Sequence, residues 1–353
     1  MLGLTTAVLA QPGVDLQALA PGVWWVPGAA GDANEHNRGA ISNLLVVADG
    51  QHTWALGSGP SPAYGRALAQ TVARVTGRSI TDVIAPWARP ELVLGSSGLP
   101  QVRVWSHQEV TQQMHERCTR CVERLATRLG NSASDLGPHP VRLADHQVAG
   151  SSGRLGPWQW WRLDRSTSTS GEHTTPQVVT VWWLASARLW AAPGLIWTDG
   201  APDLRDSSVA DLIKATTSLQ ALQDEVTTTM SRASNSSNPA AASSPGATRT
   251  PTTPHPPDTQ GTRWLPEQGP LAPPDVVAHH LHYWTSLQAA AAQAWQVGAS
   301  ETDAMPSLAG VDPAWLASPR HALNWQRAWR EAETSALAAP APHPIARPPS
   351  APP

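Results

Sequence analysis

The stretch NRGAISNLLVVADGQHTWALGSGPSPAYGRAL, residues 37–68, decides how this chain is read. Leu44–Val47 is an apolar run of strand length. Asp49-Gly50 is a turn signal, and Trp54–Leu56 resumes the apolar pattern, so the segment predicts a hairpin. Ser61-Pro62 then supplies an N-cap and a first helical residue. Ala67, Leu68, Val72 and Val75 recur at helical spacing and predict a helix over Ser61–Val75. A hairpin feeding directly into a helix is the start of an α/β unit rather than of an all-α or all-β domain.

Outward from this stretch the same grammar continues. Val23–Val26 precedes it as a strand. Asp82–Ala85, stopped by Pro86, and Val102–Trp105 follow as strands, and Glu109–Leu129 reads as a long helix ending at Gly130. Val178–Leu184 is strongly β-prone and Arg188–Trp190 follows it after a tight turn. Ser207–Val226 is helical, with Val209, Leu212, Ile213 and Leu219 as its apolar positions. Arg263–Leu265 is a short strand, Pro274–Val297 a helix with Val277, Leu281, Trp284 and Trp295 on a stripe, and His321–Thr334 a last helix. Strands followed by a helix, twice over, predict two sheet-and-helix halves. Residues 1–20 form an N-terminal extension, 21–230 a core, and 231–262 an insertion dominated by Ser, Pro, Ala and Thr. Such an insertion cannot bury enough apolar surface to offset its ordering entropy and is expected to be disordered. Residues 263–335 complete the core with C-terminal helices, and the Pro/Ala-rich 336–353 is a disordered tail.

Composition narrows the function. The 353 residues carry a net charge of −3, which argues against a general nucleic-acid binder. Apolar runs stay short of the roughly 18 residues of a membrane span. The N-terminus lacks a basic region and is short for a signal peptide, so the compartment is cytoplasmic by default and periplasmic if the start is a truncated signal. There are 18 Trp, 2 Tyr and no Phe, so Trp has to do the packing usually left to Phe. An aromatic ligand groove is the sharper alternative.

Several segments resemble one family. Asn37-Arg38-Gly39-Ala40-Ile41-Ser42-Asn43, Ser61-Pro62-Ala63-Tyr64-Gly65-Arg66-Ala67-Leu68, Leu204-Arg205-Asp206 and His321 to Glu331 stand, in this order, where metallo-β-lactamase-fold hydrolases carry related segments. The likeness is to a group of zinc hydrolases associated with sulfur oxidation and quinoproteins. It implies an αββα four-layer sandwich of metallo-β-lactamase type with a C-terminal helical extension. It also implies zinc held by a His-x-His-x-Asp-His motif, with a metal-bound hydroxide as the attacking group.

The matching stretch here is Trp87-Ala88-Arg89-Pro90-Glu91-Leu92. The two leading His positions are Trp87 and Arg89, the Asp position is Glu91 and the last His is Leu92. An Asp at the end of the second strand falls at or near Gly57. The bridging carboxylate falls at Gly194, and a late His at Gln268. A His-Thr pair persists at His173-Thr174. A zinc site needs about three or four protein ligands, and this set retains His173 and Glu91. Arg89 puts a permanent cation where a dication would sit. No cofactor is therefore expected.

Other constellations are weaker. Cys118 and Cys121, with His115, share one face of a helix; a redox pair or a metal clip is weighed against a structural pair, which is preferred. His279, His280 and His282 read as a solvated helix face. Arg89 and Glu91 are expected to form an internal ion pair, with an anion-binding pocket built on Arg89 as the functional alternative. Ser58 and Ser61 have no evident base, and His107 reads as structural.

Three functions follow. The first is a non-catalytic binding or interaction module with a small molecule or a protein as partner. The second is a residual or metal-independent hydrolase with Glu91 or His173 as base and Arg89 stabilising a developing anion. The third is a thiol role for Cys118 and Cys121.

Overall fold

The computed structural model describes residues 13–166, 176–205, 207–236, 261–303, 305 and 307–338. These form twelve strands and seven helices among the described residues. The first sheet contains β1 (Gln17–Ala20), β2 (Val23–Val26), β3 (Leu44–Asp49), β4 (His52–Leu56), β5 (Asp82–Ala85), β6 (Arg103–His107) and β7 (His146–Val148), in that order across the sheet. Pairing is antiparallel from β1 to β4 and parallel from β4 to β7. The second sheet runs β12 (Arg263–Leu265), β11 (Leu189–Ala191), β10 (Gln177–Leu184), β9 (Trp158–Ser166), β8 (Ser152–Leu155), with a parallel pair only at β11 and β12.

The predicted hairpin is present: Asp49 faces His52 and Leu45 faces Leu56. Ser61 caps α1 (Pro62–Thr76) by accepting the Tyr64 N–H, and Pro62 stands at the first turn, as the sequence suggests. Helix α3 (Gln108–Leu129) ends at Gly130, and α4 (Val209–Ser236), α5 (Val276–Gln296) and α7 (Pro319–Ala338) occupy the predicted helical segments. Two short helices, α2 (Pro90–Val93) and α6 (Pro313–Leu316), complete the set.

Side-chain alternation explains why two sheets form. In β3, Leu45 and Val47 join a cluster with Trp54, Trp158, Trp182 and Leu184, whereas Leu44 and Val46 join one containing Leu68 and Val72 of α1. In β10, Trp182 and Leu184 point to the first cluster, and Val179, Val181 and Trp183 to the second. Both strands are thus covered on both faces, by the opposite sheet and by helices. This produces an α/β sandwich of two sheets between helical layers. Trp158, Trp182, Trp190, Trp197, Trp264 and Trp284 are fully buried, so tryptophan fills the volume that the missing phenylalanine would. Trp190 stacks on Trp264 at 5.2 Å, and the Trp264 indole N–H reaches Gln223 Oε1 at 2.9 Å.

Some elements depart from the sequence reading. Gln17–Ala20, placed in an N-terminal extension, pairs with β2 as an edge strand. Strands β7, β8 and β9 were not expected, because two of them are short polar edges and β9 interleaves Arg and Asp with Trp. Helix α4 continues past Val226 to Ser236, into the segment expected to be disordered from Ser231. Residues 237–260 of that segment and 339–353 of the tail lie outside the described residues.

Of the α5 histidines, His279 and His282 are exposed as expected, but His280 is not. His280 is fully buried, in phase with Val277, Tyr283, Trp284 and Leu287. Its Nε2 accepts the Trp197 N–H at 3.0 Å, so Nδ1 carries the proton toward Val276 O at 2.8 Å. Burial holds its pKa down at about 4, so the ring is neutral and structural. Among the described residues, no helix is long and apolar enough to cross a membrane.

Candidate functional site

The loops that follow β4, β5, β11 and β12 converge at one edge of the sandwich, the usual place for a site in α/β folds. Backbone and side-chain bonds tie them together. Ser58 donates its N–H to Leu92 O at 2.7 Å, and Thr180 of β10 donates both its N–H and its hydroxyl to Pro86 O at 2.9 Å. Asn43 accepts from Trp25 Nε1 and Gly28 N and donates to Pro266 O and Gly269 O, holding the 266–269 loop against β3. From the C-terminal helix, Asn324 donates to Pro202 O at 2.8 Å and accepts from Leu204 N, while His321 Nδ1 meets Tyr283 OH at 3.0 Å. The segments that carried the family resemblance therefore serve as scaffolding for this edge.

Arg89 lies at its centre. Pro90 biases Arg89 toward extended backbone, observed at φ −124° and ψ 129°. Its guanidinium is buried among three carboxylates from three loops: Nε is 3.2 Å from Glu91 and 3.8 Å from Glu267, and Nη1 is 3.6 Å from Asp203. The expected Arg89–Glu91 pair exists, and Asp203 and Glu267, which the sequence reading did not single out, complete it. Burial disfavours charge on Asp203, but Arg89, Arg205 and Arg165 outweigh it and hold the carboxyl at about 2. Glu267 goes the other way, because burial outweighs the attraction of Arg89 and its bond from Ser42 Oγ at 2.6 Å. Its Oε2 is buried without a hydrogen-bond partner.

Arg165 of β9 is a second buried cation, fully enclosed, that the sequence reading missed. It donates to Gly194 O, Asp203 O, Arg205 O and Ser207 Oγ, each at 2.7 Å. Its guanidinium carbon lies 4.8 Å from the Trp87 ring centroid, and that of Arg89 lies 5.2 Å from it. Counting Arg205, which pairs with Asp203 at 3.1 Å, three arginines meet three carboxylates here.

Two glycines fit two bulky neighbours. Gly194 has φ +82°, and a Cβ there would come within 2.9 Å of the Trp87 ring. Gly57 has φ +79°, and a Cβ there would come within 2.6 Å of Leu44 and 3.2 Å of Leu92. Trp87 and Leu92 are both buried. Side chains at 57 and 194 are thus excluded by the indole and the leucines that occupy the space.

The remaining candidates lie elsewhere. Gln268 is buried, but its Oε1 accepts from Arg320, which pairs with Asp199. His173 lies outside the described residues. Cys118 and Cys121 are not disulfide-bonded and do not share an environment. Cys118 is in the core, and burial first, then Cys121 and Glu91, push its thiol up to about 12, opposite to what a reactive thiol needs. Cys121 is half-buried beside Arg124. His107 caps α3 and contacts Gly150 O, a structural role. Ser58 donates its hydroxyl to Leu92 O. Among the described residues, no group of three His, Cys, Asp or Glu is arranged to hold a metal ion.

The two facing sheets, their helical layers and the loop edge define an αββα sandwich, and solved structures identify its type. The metallo-β-lactamase FIM-1 from Pseudomonas aeruginosa, in its mono-zinc form, superposes with a TM-score of 0.52 at 13% identity, covering 78% of this chain and 98% of that one. A metallo-β-lactamase from Pontibacter korlensis superposes with a TM-score of 0.51 at 10% identity, covering 77% and 99%. The chain has the metallo-β-lactamase fold. No family model matches its sequence, and no curated protein matches it.

Proposed function

We propose that this chain is a non-catalytic binding module on the metallo-β-lactamase scaffold, with a protein-borne guanidinium in place of a metal ion. The observation that carries the proposal is the Arg89 guanidinium set among Glu91, Asp203 and Glu267. By the resemblance, Trp87, Arg89, Glu91, Leu92, His173, Gly194 and Gln268 stand at ligand positions, and of these His173 lies outside the described residues. Indole, guanidinium, leucine and glycine side chains offer zinc no donor. Gln268 is engaged by Arg320, and Glu91 by Arg89. The described residues at these positions therefore do not fit zinc.

The fit of Trp87 over Gly194 and of Leu92 beside Gly57 supports a settled rearrangement: each missing side chain is matched by a neighbour that uses its space. The metal-independent hydrolase finds less support. Arg89 is engaged with three carboxylates instead of facing a developing anion, and Trp87 and Leu92 form an apolar plug.

Metal analysis of protein purified without chelator tests the reading. Less than a tenth of an equivalent of zinc is expected, with no specific rise in melting temperature on adding it. One equivalent of zinc per chain, lost in Glu91→Gln, overturns it.

A further inference from the structure

A cleft of about 340 Å³ runs along α3, opposite the loop after β5. Trp87, Ala88, Pro90 and Leu125 give it an apolar wall. Arg117, Arg120 and Arg124 also line it, but each is engaged with partners, so their charge assigns the cleft no ligand. Two other lining groups of α3 do point to one: Gln113 and, about two turns further on, Cys121.

Gln113 is 1% exposed, and its Nε2 is buried without a hydrogen-bond partner. A buried amide donor left unpaired is costly, and at the wall of a cleft an acceptor on an incoming molecule satisfies it. Cys121 is half-buried, and its Sγ accepts a hydrogen bond from Arg124 at 3.3 Å, which fixes the direction of the sulfur. Cys118, one turn earlier, is sealed in the core. Burial holds its thiol up at about 12, so it stays protonated and does not attack a disulfide formed at Cys121. Gln113 and Cys121 stand about 12 Å apart along the helix axis at 1.5 Å per residue. A single cysteine is too short to bridge them, whereas a chain of three residues, at about 3.3–3.6 Å each, spans the distance. The volume is that of a small-molecule site, not of a groove that tracks a polymer.

We infer that Cys121 is a modification site, a cleft thiol that forms a mixed disulfide with a short peptide thiol whose backbone carbonyl Gln113 holds. The Cys121 thiolate attacks one sulfur of the peptide's symmetric disulfide. The bond from Cys121 Sγ to that sulfur forms and the peptide S–S bond breaks. The departing half leaves as a thiolate and takes up the proton that Cys121 gave to solvent. The peptide disulfide is itself the oxidant, so no other reactant is needed. The inference goes beyond the binding-module reading and does not rest on it, because Cys121 and Gln113 take no part in the Arg89 ion pairs.

The test is intact-mass spectrometry of the full chain during reaction with the disulfide of the capped, uncharged tripeptide Cys-Gly-Gly, with hydroxyethyl disulfide as the short comparison. The absence of charge on both reagents keeps the cleft arginines out of the measurement. One peptide adduct per chain is expected, absent in Cys121→Ser, kept in Cys118→Ala, and stable until an external thiol is added. Each rate is divided by that of free N-acetylcysteine with the same reagent. On that scale the peptide disulfide is expected to react at least tenfold faster than hydroxyethyl disulfide. Gln113→Leu removes an unpaired buried donor, so it should keep the fold and bring that preference below threefold. No adduct, an adduct at Cys118, spontaneous conversion to a Cys118–Cys121 disulfide, or a preference that is below tenfold in the native chain or unchanged in Gln113→Leu would each overturn the inference.

Discussion

Two groups of arginines lie side by side in this molecule in opposite environments. Arg89 and Arg165 are buried, stacked on Trp87, and held by carboxylates and backbone carbonyls. Arg120, Arg124 and Arg128 are exposed on a helix face lining a cleft. The side chain is the same, so the environment decides the role. A buried guanidinium must be matched in place, and removing it strands its partners. An exposed one keeps much of its hydration and costs the fold little.

The largest break in this comparison is expected from Arg165→Met. The variant leaves the carbonyls of Gly194, Asp203 and Arg205 without that donor in a buried loop cluster, and should lose about 4 kcal/mol in urea unfolding followed by tryptophan fluorescence. A loss below 1 kcal/mol would mean that the buried arginines are no more structural than the exposed ones.

The next effect is a pH dependence. Asp203 has its folded pKa lowered from 3.8 to about 2, so its contribution is present above 3.8 and disappears as pH falls toward 2. The shift is equivalent to about 2 kcal/mol. Glu267 has a raised pKa and favours the protonated form, so it offsets part of the loss. Comparing stability at pH 5 and pH 2 in the native chain and in Asp203→Asn isolates the Asp203 share, and equal slopes in the two proteins would remove it.

The smallest effect is expected in the cleft. The combined variant Arg120→Ser, Arg124→Ser, Arg128→Ser should stay within about 0.5 kcal/mol of the native stability, as for exposed positions away from packing. A larger loss would place those arginines with the structural group.

Legibility from sequence followed the same division. The strand runs at Leu44–Val47 and Val178–Leu184 and the Ser61-Pro62 helix start were readable because period and capping are local properties. The pairing of Arg89 with Glu91 was readable because the two are neighbours in the chain. Asp203, Glu267 and Arg165 were not, since each comes from a distant segment and carries no local mark. His280 could have been found, because it sits one turn from Trp284 on a buried stripe, yet its neighbours His279 and His282 pulled the reading toward a solvated face. The arginine stripe of α3 was also visible at helical spacing, but that it lines a cleft depends on Arg205 and Arg327 arriving across from it.

By itself the sequence determined the alternation of strands and helices, the reliance on tryptophan for the core, and the presence of Trp87, Arg89 and Leu92, which cannot ligate zinc, in one short loop. Those are matters of backbone period, side-chain volume and donor chemistry, each decided residue by residue. Only the tertiary structure decided that Arg89 meets three carboxylates, that Trp87 takes the space left open at Gly194, and that seven arginines, Arg89 among them, line one cleft. Charge and burial act through space, and the loops concerned come from both sheets and are brought together only when the two sheets pack.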